Sequence, residues 1–266
     1  MLLRNNIMKR LPLILIAVTT LTVPPSSATA ENNYVFGSLG MGGLSDSDNT
    51  GSLNSDFTTG TGTTIPLGTP LPKGTPVEWN TEFDGAVTFA FGAGRYFTEN
   101  IRGEFEIGLQ SSDVSTHSNV KAAGINLSDE DAAVLITGSP ALGATVGTIV
   151  KSGEGEIKSN FFMVNGFYDI DLDAPVNPYL GAGLGFAQTR VRFNPSGVDI
   201  IDDTQTSFAW QIMGGLNWEI NETVTAYLGG RYRATTDVEV DVDLFPANLD
   251  IKNSGMSVET GLRIMF

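Results

Sequence analysis

The most constraining feature of the sequence is a strict two-residue alternation in residues 256–266. One side of this stretch is apolar apart from Thr260, and the other side carries Glu259 and Arg263. Successive side chains of a β-strand point to opposite faces, so the stretch predicts a strand with one apolar and one charged face. A closed transmembrane barrel uses such strands, with apolar residues toward lipid and polar residues toward the lumen.

Seven further segments read as strands. The clearest is 101–109, in which Ile101, Phe105, Ile107 and Leu109 alternate with charged residues. Each predicted strand is about the 9–11 residues that a tilted strand needs to cross a bilayer. In chain order the eight predicted strands are 33–43, 81–96, 101–109, 160–169, 179–187, 208–220, 224–233 and 256–266.

The connections between these strands alternate between long and short, which is typical of an up-and-down barrel with tight periplasmic turns and long outer loops. A soluble eight-stranded barrel of the lipocalin type is the alternative, but it would turn its apolar residues inward. Mid-strand polar groups such as Glu104, Gln211 and Arg231 favour the membrane barrel. We therefore predict an all-β fold: an eight-stranded antiparallel transmembrane β-barrel with short periplasmic turns and long extracellular loops.

The first 30 residues have the parts of a secretory signal peptide: a basic start, an apolar run from Leu11, and a small-residue site ending at Ala30. A membrane anchor is the alternative, but the run is shorter than the ~18–20 residues of a spanning helix. We expect Sec export with cleavage after Ala30, and a barrel domain over 31–266. That domain would carry 12 basic and 30 acidic residues, because residues 1–30 hold three basic residues and no acid. A net charge of −18 argues against nucleic acid as a partner.

The strand motifs together resemble the small OmpA-like outer-membrane β-barrel superfamily, closest to stand-alone porin-family and surface-antigen barrels of alphaproteobacterial type. The ending also resembles the C-terminal assembly signal of such proteins, through Leu262, Ile264 and Phe266. The resemblance implies a Gram-negative outer membrane, with its lipids, lipopolysaccharide and the barrel-assembly machinery as partners. The motifs that carry it are Glu82–Gly85, Gly92–Tyr96, Arg102–Glu106, Met163–Asn165, Tyr168–Asp169, Pro178–Gly185, Phe208–Gln211, Tyr232–Arg233 and Gly261–Phe266.

Charged residues on the predicted inner faces are the first candidate site. An eight-stranded barrel is only wide enough to be filled by its own side chains, so a paired, hydrogen-bonded plug is the favoured interpretation and a narrow ion path is the alternative. The glycines 181, 183 and 185 would then make room for large lumen side chains. The predicted lumen charge network consists of Arg102, Glu104, Glu106, Arg231, Arg233, Glu259 and Arg263.

Aromatic and basic residues suggest contacts with the membrane surface. Tyr96, Trp210, Trp218 and Tyr232 fit the aromatic girdles of a membrane barrel. Arg190 and Arg192, at the outer end of their strand, could meet lipopolysaccharide phosphates.

Candidate catalytic and cofactor motifs are weak. His117 stands beside Ser118 in a predicted loop without the third group and rigid scaffold that nucleophilic catalysis needs. The calcium-like start at Asp46 lacks the twelfth-position Glu, since that position is Phe57. Gly181-x-Gly-x-Gly185 is not followed by a helix, so it is no dinucleotide motif. We expect no enzyme, cofactor or metal site.

The sequence thus favours a structural, envelope-integrity role together with surface recognition, of antigen or adhesion type, for a host or envelope protein partner. The recognition would use large, acidic, mobile loops. A small porin-like channel lined by the lumen charges is the alternative function. The predicted loops are 44–80, 111–159, 194–204 and 234–254.

Overall fold

The computed structural model describes residues 32–136, 140–151, 155–194, 200–243 and 245–266; the predicted signal peptide and its cleavage site lie outside them. Of the helices described, neither is long and apolar enough to cross a membrane. The strands are β1 (Asn33–Leu44), β2 (Ser47–Leu53), β3 (Phe57–Thr58), β4 (Pro70–Leu71), β5 (Pro76–Tyr96), β6 (Ile101–Ala122), β7 (Ile125–Asn126), β8 (Gly155–Asp169), β9 (Val176–Phe193), β10 (Ile201–Glu219), β11 (Val224–Thr235), β12 (Val238–Val242), β13 (Ala247–Ile251) and β14 (Ser254–Met265), with a 3-10 helix (Ala132–Leu135) and α1 (Val146–Val150).

Eight strands form a closed antiparallel ring in the order β1, β5, β6, β8, β9, β10, β11 and β14, and β14 pairs with β1 to complete it. The first and last strands meet in register, with Leu39 opposite Thr260. Closure leaves no unpaired edge within this ring, which is what a strand-built membrane protein requires. The predicted eight-stranded barrel is confirmed.

Apolar side chains point outward along the ring strands and polar side chains point inward. On β6, Phe105 is 73% exposed, whereas its neighbours Glu104 and Glu106 are buried. On β14, Val258 is exposed and Glu259 is buried. An outward apolar belt of this kind is stable against lipid and not against water. The predicted apolar-out, polar-in orientation is therefore confirmed.

The two ends of the barrel differ strongly. Short turns at 97–100, 170–175 and 220–223 connect strands at the periplasmic end. The first and last strands also meet there, where the Phe266 amide donates a hydrogen bond to the Asn33 carbonyl over 2.9 Å. The long connections lie at the extracellular end.

Several ring strands continue well beyond the membrane. β5 has 21 residues and β6 has 22, about twice the number that crosses a bilayer. The pairing of β5 with β6 shifts register between Glu82 and Ala86. A shift of one residue in the pairing turns the side chains beyond it to the opposite face of the sheet. Phe83 has the same odd-numbered parity as the exposed Val87 and Phe89, but the shift turns it inward, and it packs against buried residues above the membrane.

The long connections are not the mobile loops that the sequence suggested; in the described residues they fold into a compact extracellular part. We call this part the head: β2, β3, β4, β7, β12, β13, both helices and the outer ends of β5, β6, β8, β9 and β10. Its apolar cluster is separate from two smaller clusters in the barrel lumen. The buried core of the head is Leu44, Leu53, Val77, Trp79, Val120, Ala122, Leu127, Ala132, Val134, Val146, Val150, Ile157, Val191, Phe193, Ile200, Ile201, Val238, Val240, Val242, Phe245, Ala247, Leu249 and Ile251.

A buried carboxylate joins two of the connections in the head. Glu130 accepts hydrogen bonds from the backbone amides of Thr63 and Thr64, at 2.6 and 3.0 Å. The residues between β3 and β4 are thereby fixed to the segment that carries both helices. Loop segments held by a buried, hydrogen-bonded carboxylate are part of the folded structure.

His117 lies within β6 and is buried in the head, rather than in an exposed loop as we predicted. Its Nδ1 is 2.7 Å from Thr81 Oγ1, and its ring centre is 4.0 Å from that of Phe193. Burial lowers the pKa of His117 to about 4. The longer strands explain the difference, because they carry residue 117 inward into the core of the head.

We expect the head to lose stability as the pH falls from about 6.5 to about 4. In the unfolded chain His117 has its ordinary pKa near 6.5, so the neutral, buried form favours folding fully above that pH. The loss over this interval is at most about 3 kcal/mol. Urea unfolding of the head at a series of pH values measures it, with His117→Gln as the control. The same pH slope in that variant would assign the effect to carboxylates instead.

Candidate functional site: the charged lumen

The side chains of the lumen site come from three strands, on which every second residue points into the barrel. Arg102, Glu104 and Glu106 point inward from β6, and Arg231 and Arg233 point inward from β11. Glu259 and Arg263 complete the predicted set from β14. All seven are buried, and hydrogen bonds join them into two adjoining clusters.

The cluster nearer the periplasm is centred on Arg102. Its Nη1 is 2.5 Å from Glu104 Oε1, and its Nε donates to Asp169 Oδ2 over 2.9 Å. The Tyr34 hydroxyl donates to the same Glu104 oxygen over 2.8 Å. Arg263 lies 3.9 Å from Glu104, so this carboxylate faces two guanidinium groups.

The second cluster is centred on Glu106. Its Oε1 accepts from Arg231 and, over 2.6 Å, from Arg233 Nη2. Its Oε2 accepts from Asn165 Nδ2 over 2.8 Å. Arg231 also donates to Glu259 Oε1 over 2.9 Å, which links β6, β11 and β14 across the lumen.

The lumen charges balance. Four arginines face four carboxylates once Asp169 is included with the predicted set. Buried charges persist only when paired and hydrogen-bonded, and this network meets that condition. Asp169, Asn165 and Asn217 were missed in the sequence, although each lies on the inward-facing positions of its strand and the alternation could have found it.

Aromatic rings cover several of the arginines. The Arg102 guanidinium lies 3.7 Å from the centre of the Phe167 ring, and that of Arg233 lies 4.1 Å from the Phe161 ring. Arg263 lies over Tyr227 at 4.8 Å. Cation–π contacts of desolvated guanidinium groups add to their ion pairing. The lumen is thus filled by flat groups stacked on one another.

The glycines of β9 make room for this filling, as predicted. A Cβ atom at Gly183 would lie 1.9 Å from Asn165 Oδ1, and one at Gly181 would lie 2.4 Å from the Phe167 ring. Both partners belong to the lumen network or cover it. Glycine at these positions lets the large lumen groups approach the barrel wall.

A polar cavity of about 460 Å³ opens at the periplasmic end. Asp169 and Arg263 lie at its inner end, and Glu99 and Asp171 line it further out. Tyr96 also lines it, on the inward positions of β5 with its ring centre 5.5 Å from that of Tyr34. The prediction of Tyr96 as a lipid-facing girdle residue is therefore wrong, because Tyr96 has the same even-numbered parity on β5 as the buried Ala86 and Ala90.

The other predicted surface residues lie on the outside of the barrel. Trp210 and Trp218 are exposed, and the ring of Tyr232 is 5.4 Å from that of Trp210. Leu262, Ile264 and Phe266 point outward at the periplasmic end of β14. Arg190 and Arg192 are exposed on the outer part of β9.

The calcium-like sequence that begins at Asp46 leads into strand β2. Because Ser47–Leu53 is extended, this sequence does not curl into a loop. Among the residues that the structure describes, no group of three or more His, Asp or Glu side chains could hold a metal ion.

Comparisons with known proteins give one family and several distant structures. The chain is similar to Neisserial surface protein A, at 16% identity and a TM-score of 0.42 over 88% of this chain and 97% of that one. It is similar to OprG from Pseudomonas aeruginosa, at 12% identity and a TM-score of 0.49 over 88% of this chain and 96% of that one. It is also similar to the outer membrane protease OmpT from Escherichia coli, at 9% identity and a TM-score of 0.44 over 91% of this chain and 99% of that one. No curated protein sequence matches the chain.

The sequence profile described as Surface antigen matches residues 74–260. The matched region begins just before β5 and ends within β14, so it contains six of the eight ring strands in full, part of β14 and most of the head. The chain is an outer-membrane β-barrel protein that belongs to the surface antigen family.

Proposed function

We propose that this protein is a closed outer-membrane barrel that contributes to envelope integrity and holds a folded recognition head at the cell surface. The observation that carries the proposal is the charge-balanced lumen network, centred on Glu106, beneath a separate buried core in the head. A filled lumen has no continuous water path, and a folded head offers a fixed surface to an antibody, a host protein or an envelope protein. Adhesion or antigen display suits such an arrangement.

A small ion channel is the second candidate. The polar periplasmic cavity, which reaches Arg263 and Asp169, is the observation that favours it. In a channel the lumen charges would open into a path rather than remain paired. Conduction requires binding that is weak enough for ions to leave.

Single-channel conductance of the refolded protein in a planar bilayer separates the two functions. We expect no steady current from protein that shows heat-modifiable gel migration, because the paired lumen groups exclude ions. A steady current that is lost in Arg231→Ala, or whose selectivity changes in Glu104→Gln, would establish the channel and overturn the closed barrel. A current that appears only in Arg231→Ala would instead show that the pairing closes the lumen.

The recognition role is tested by shortening the head. Replacing residues 127–151 with a short Gly-Ser linker removes both helices and leaves the ring strands intact. We expect cells displaying this variant to lose adhesion or antibody binding while the barrel keeps its heat-modifiable band. Unchanged adhesion and antibody binding would contradict recognition through this part of the head.

Lipopolysaccharide is the lipid partner that we propose for the outer surface. Lys158, Arg190 and Arg192 form an exposed cluster on β8 and β9, above the ring pair of Phe186 and Phe208, whose centres are 6.3 Å apart. Glu156 and Asp202 form ion pairs with these three cations, and Asp113 lies opposite Glu156 on the neighbouring strand β6. The three cations lie at the edge of the apolar belt, where lipid phosphates are found.

We expect Arg190→Ala combined with Arg192→Ala to weaken binding of lipopolysaccharide to the folded protein about tenfold. Each basic group near an anionic membrane surface contributes about 1 kcal/mol, reduced here by existing ion pairs. The matched control is Lys121→Ala with Lys252→Ala, which removes two exposed charges elsewhere in the head. Equal weakening in both pairs, measured by titration of detergent-solubilised protein, would show only general electrostatics.

We infer that the protein is not an enzyme. His117 and Thr81 are both buried, so this pair is closed to a substrate. A surface hydrolase activity lost in His117→Ala, while the head stays folded, would overturn the inference.

Export and assembly complete the proposal. We propose Sec-dependent export with cleavage after Ala30, and recognition of the outward-facing Leu262, Ile264 and Phe266 by the barrel-assembly machinery. Mass measurement of the outer-membrane form tests the cleavage site. Phe266→Ala tests the signal, with loss of folded protein from the membrane as the expected result.

A further inference from the structure

The outer wall of the barrel has a groove that crosses four neighbouring strands near the periplasmic end. Strand pairing places four outward-facing positions in one row, each opposite the next. The row consists of Arg95, Gly103, Gly166 and Ala182. Three of these positions carry nothing larger than a methyl group, so the wall is recessed along the row. We call this recess the glycine groove.

Large, exposed side chains form both walls of the glycine groove. The wall toward the membrane centre is the paired row of Phe105, Val164 and Leu184. The wall toward the periplasm is the paired row of Ile101, Tyr168 and Leu180. Between them a recess of about 640 Å³ lies over β5, β6 and β8. The recess is mainly apolar, as an acyl chain requires.

The two glycines of the floor keep the groove open. At Gly103 the Phe97 ring takes up the space, since a Cβ atom there would be 2.9 Å from Phe97 Cε2. At Gly166 the space is empty, because a Cβ atom there would meet nothing within 4 Å except its chain neighbours. Glycine weakens the interior of a strand and often marks a place where a ligand approaches the backbone closely. Packing within the barrel does not require glycine at position 166.

The glycine groove rises from the edge of the membrane into its interior. Each position along the row lies further from the periplasmic end of its own strand: Arg95 by one residue, Gly103 by two, Gly166 by three and Ala182 by six. At about 4.8 Å between strands, the row is about 14 Å long. This length is close to the hydrocarbon thickness of one leaflet, about 15 Å. A lipid with its headgroup at Arg95 could therefore lay an acyl chain along the whole groove.

Arg95 supplies a positive charge at the periplasmic end of the groove. Arg95 is exposed and forms no ion pair within the ranges that the structure describes. The other described basic residues at this end, Arg102 and Arg263, point into the lumen. Glu99, in the adjacent turn, lines the polar cavity in the barrel mouth. A guanidinium group donates paired hydrogen bonds to phosphate oxygens, so Arg95 suits a lipid phosphate.

We propose that the glycine groove binds an anionic phospholipid of the periplasmic leaflet. The lipid phosphate would pair with Arg95, and one acyl chain would lie over Gly166 and Ala182. The bound lipid would fill the recess in the wall and neutralise Arg95. This site is separate from the basic cluster proposed for lipopolysaccharide, which lies toward the extracellular end, and it does not depend on the recognition role of the head.

The test is native mass spectrometry of the refolded protein in detergent with added lipid. Dimyristoyl phosphatidylglycerol and dimyristoyl phosphatidylcholine have the same acyl chains, but only the first carries a net negative charge. We expect the protein to retain about fivefold more of the first lipid, because one basic group favours an anionic lipid by about this factor. Equal retention of both lipids would reduce the contact to a general apolar surface and overturn the proposal.

Charge variants test the role of Arg95. Arg95→Ala should abolish the preference for the anionic lipid, whereas Arg95→Lys should keep most of it because the charge remains. The control is Arg190→Ala combined with Arg192→Ala, which removes two exposed cations at the other end of the barrel and should leave the preference unchanged. Loss of the preference in this control, with Arg95→Ala unaffected, would place the lipid at the outer cluster and overturn the proposed site.

A variant that fills the groove tests its shape. Gly166→Leu places a side chain in the empty space, so we expect about fivefold less retained anionic lipid while the heat-modifiable band remains. Gly230→Leu is the matched control, because Gly230 also has open space around its Cβ position, on β11. Equal losses in both variants would overturn the site. A dimer that disappears in Gly166→Leu, with no lipid retained by the unmodified protein, would assign the groove to a second copy of this chain instead.

Discussion

Replacement of Glu106 with alanine is expected to destabilise the barrel by about 3–5 kcal/mol, because it leaves Arg231 and Arg233 buried without their shared carboxylate. Glu106 is 2% exposed and joins three strands, so water cannot replace it without opening the lumen. Asn165 and Gln211 would also lose an acceptor. Urea unfolding in lipid vesicles, followed by tryptophan fluorescence and by the heat-modifiable band, measures the change.

The matched control for this variant is Glu78→Ala. Glu78 forms an ion pair with Lys121 at 3.7 Å in the head, and both side chains are about two-fifths exposed. Exposed ion pairs contribute about 0–1 kcal/mol, so the control should unfold almost as the unmodified protein does. Similar losses in the two variants would mean that the lumen network does not hold the barrel together.

The second large effect is expected in the head, from Leu249→Ala. Leu249 is fully buried in the core of the head, and truncating a buried leucine costs about 2–5 kcal/mol. Because the core of the head is separate from the two lumen clusters, we expect the loss to fall on the head alone. Protease cleavage in the head should accelerate while the heat-modifiable band of the barrel remains.

Leu67→Ala is the control for the head, since Leu67 is 65% exposed. It should leave protease protection unchanged. Loss of the heat-modifiable band in Leu249→Ala would contradict two separately stabilised parts and would show that head and barrel unfold as one unit.

The barrel could be predicted from the sequence because lipid imposes one rule on every crossing strand. Phe105 and Ile107 face lipid, and Glu104 and Glu106 face the lumen, so a period of two is visible in the residues themselves. The lumen charges follow from the same period. Asp169 and Asn165 lie on the inward-facing positions of β8, so the same alternation could have identified them as partners of the lumen charges.

The head could not be predicted in this way, because its strands lie outside the membrane and lipid does not impose an alternation of apolar and polar residues on them. The run Val238–Val242 alternates valine with Glu239 and Asp241, but at five residues it is too short to stand out from an acidic loop. Its core combines residues from all four long connections, so each connection alone looks polar and unstructured. The register shift that turns Phe83 inward depends on the pairing of β5 with β6, and no local pattern marks it.

The pairing of β1 with β14 has a consequence for the order in which this chain can fold. These strands are joined by contacts such as that of Ser38 with Glu259, which are 221 residues apart in sequence. Forming such a contact costs the conformational entropy of closing a loop of nearly the whole chain, so contacts of this kind form late and slowly. β2 and β13 impose the same delay on the head, because they also join the two ends of the chain. A chain arrested during export would thus lack both a sealed wall and a finished head, and its exposed strand edges would make it a substrate for chaperones and proteases until the last strand arrives.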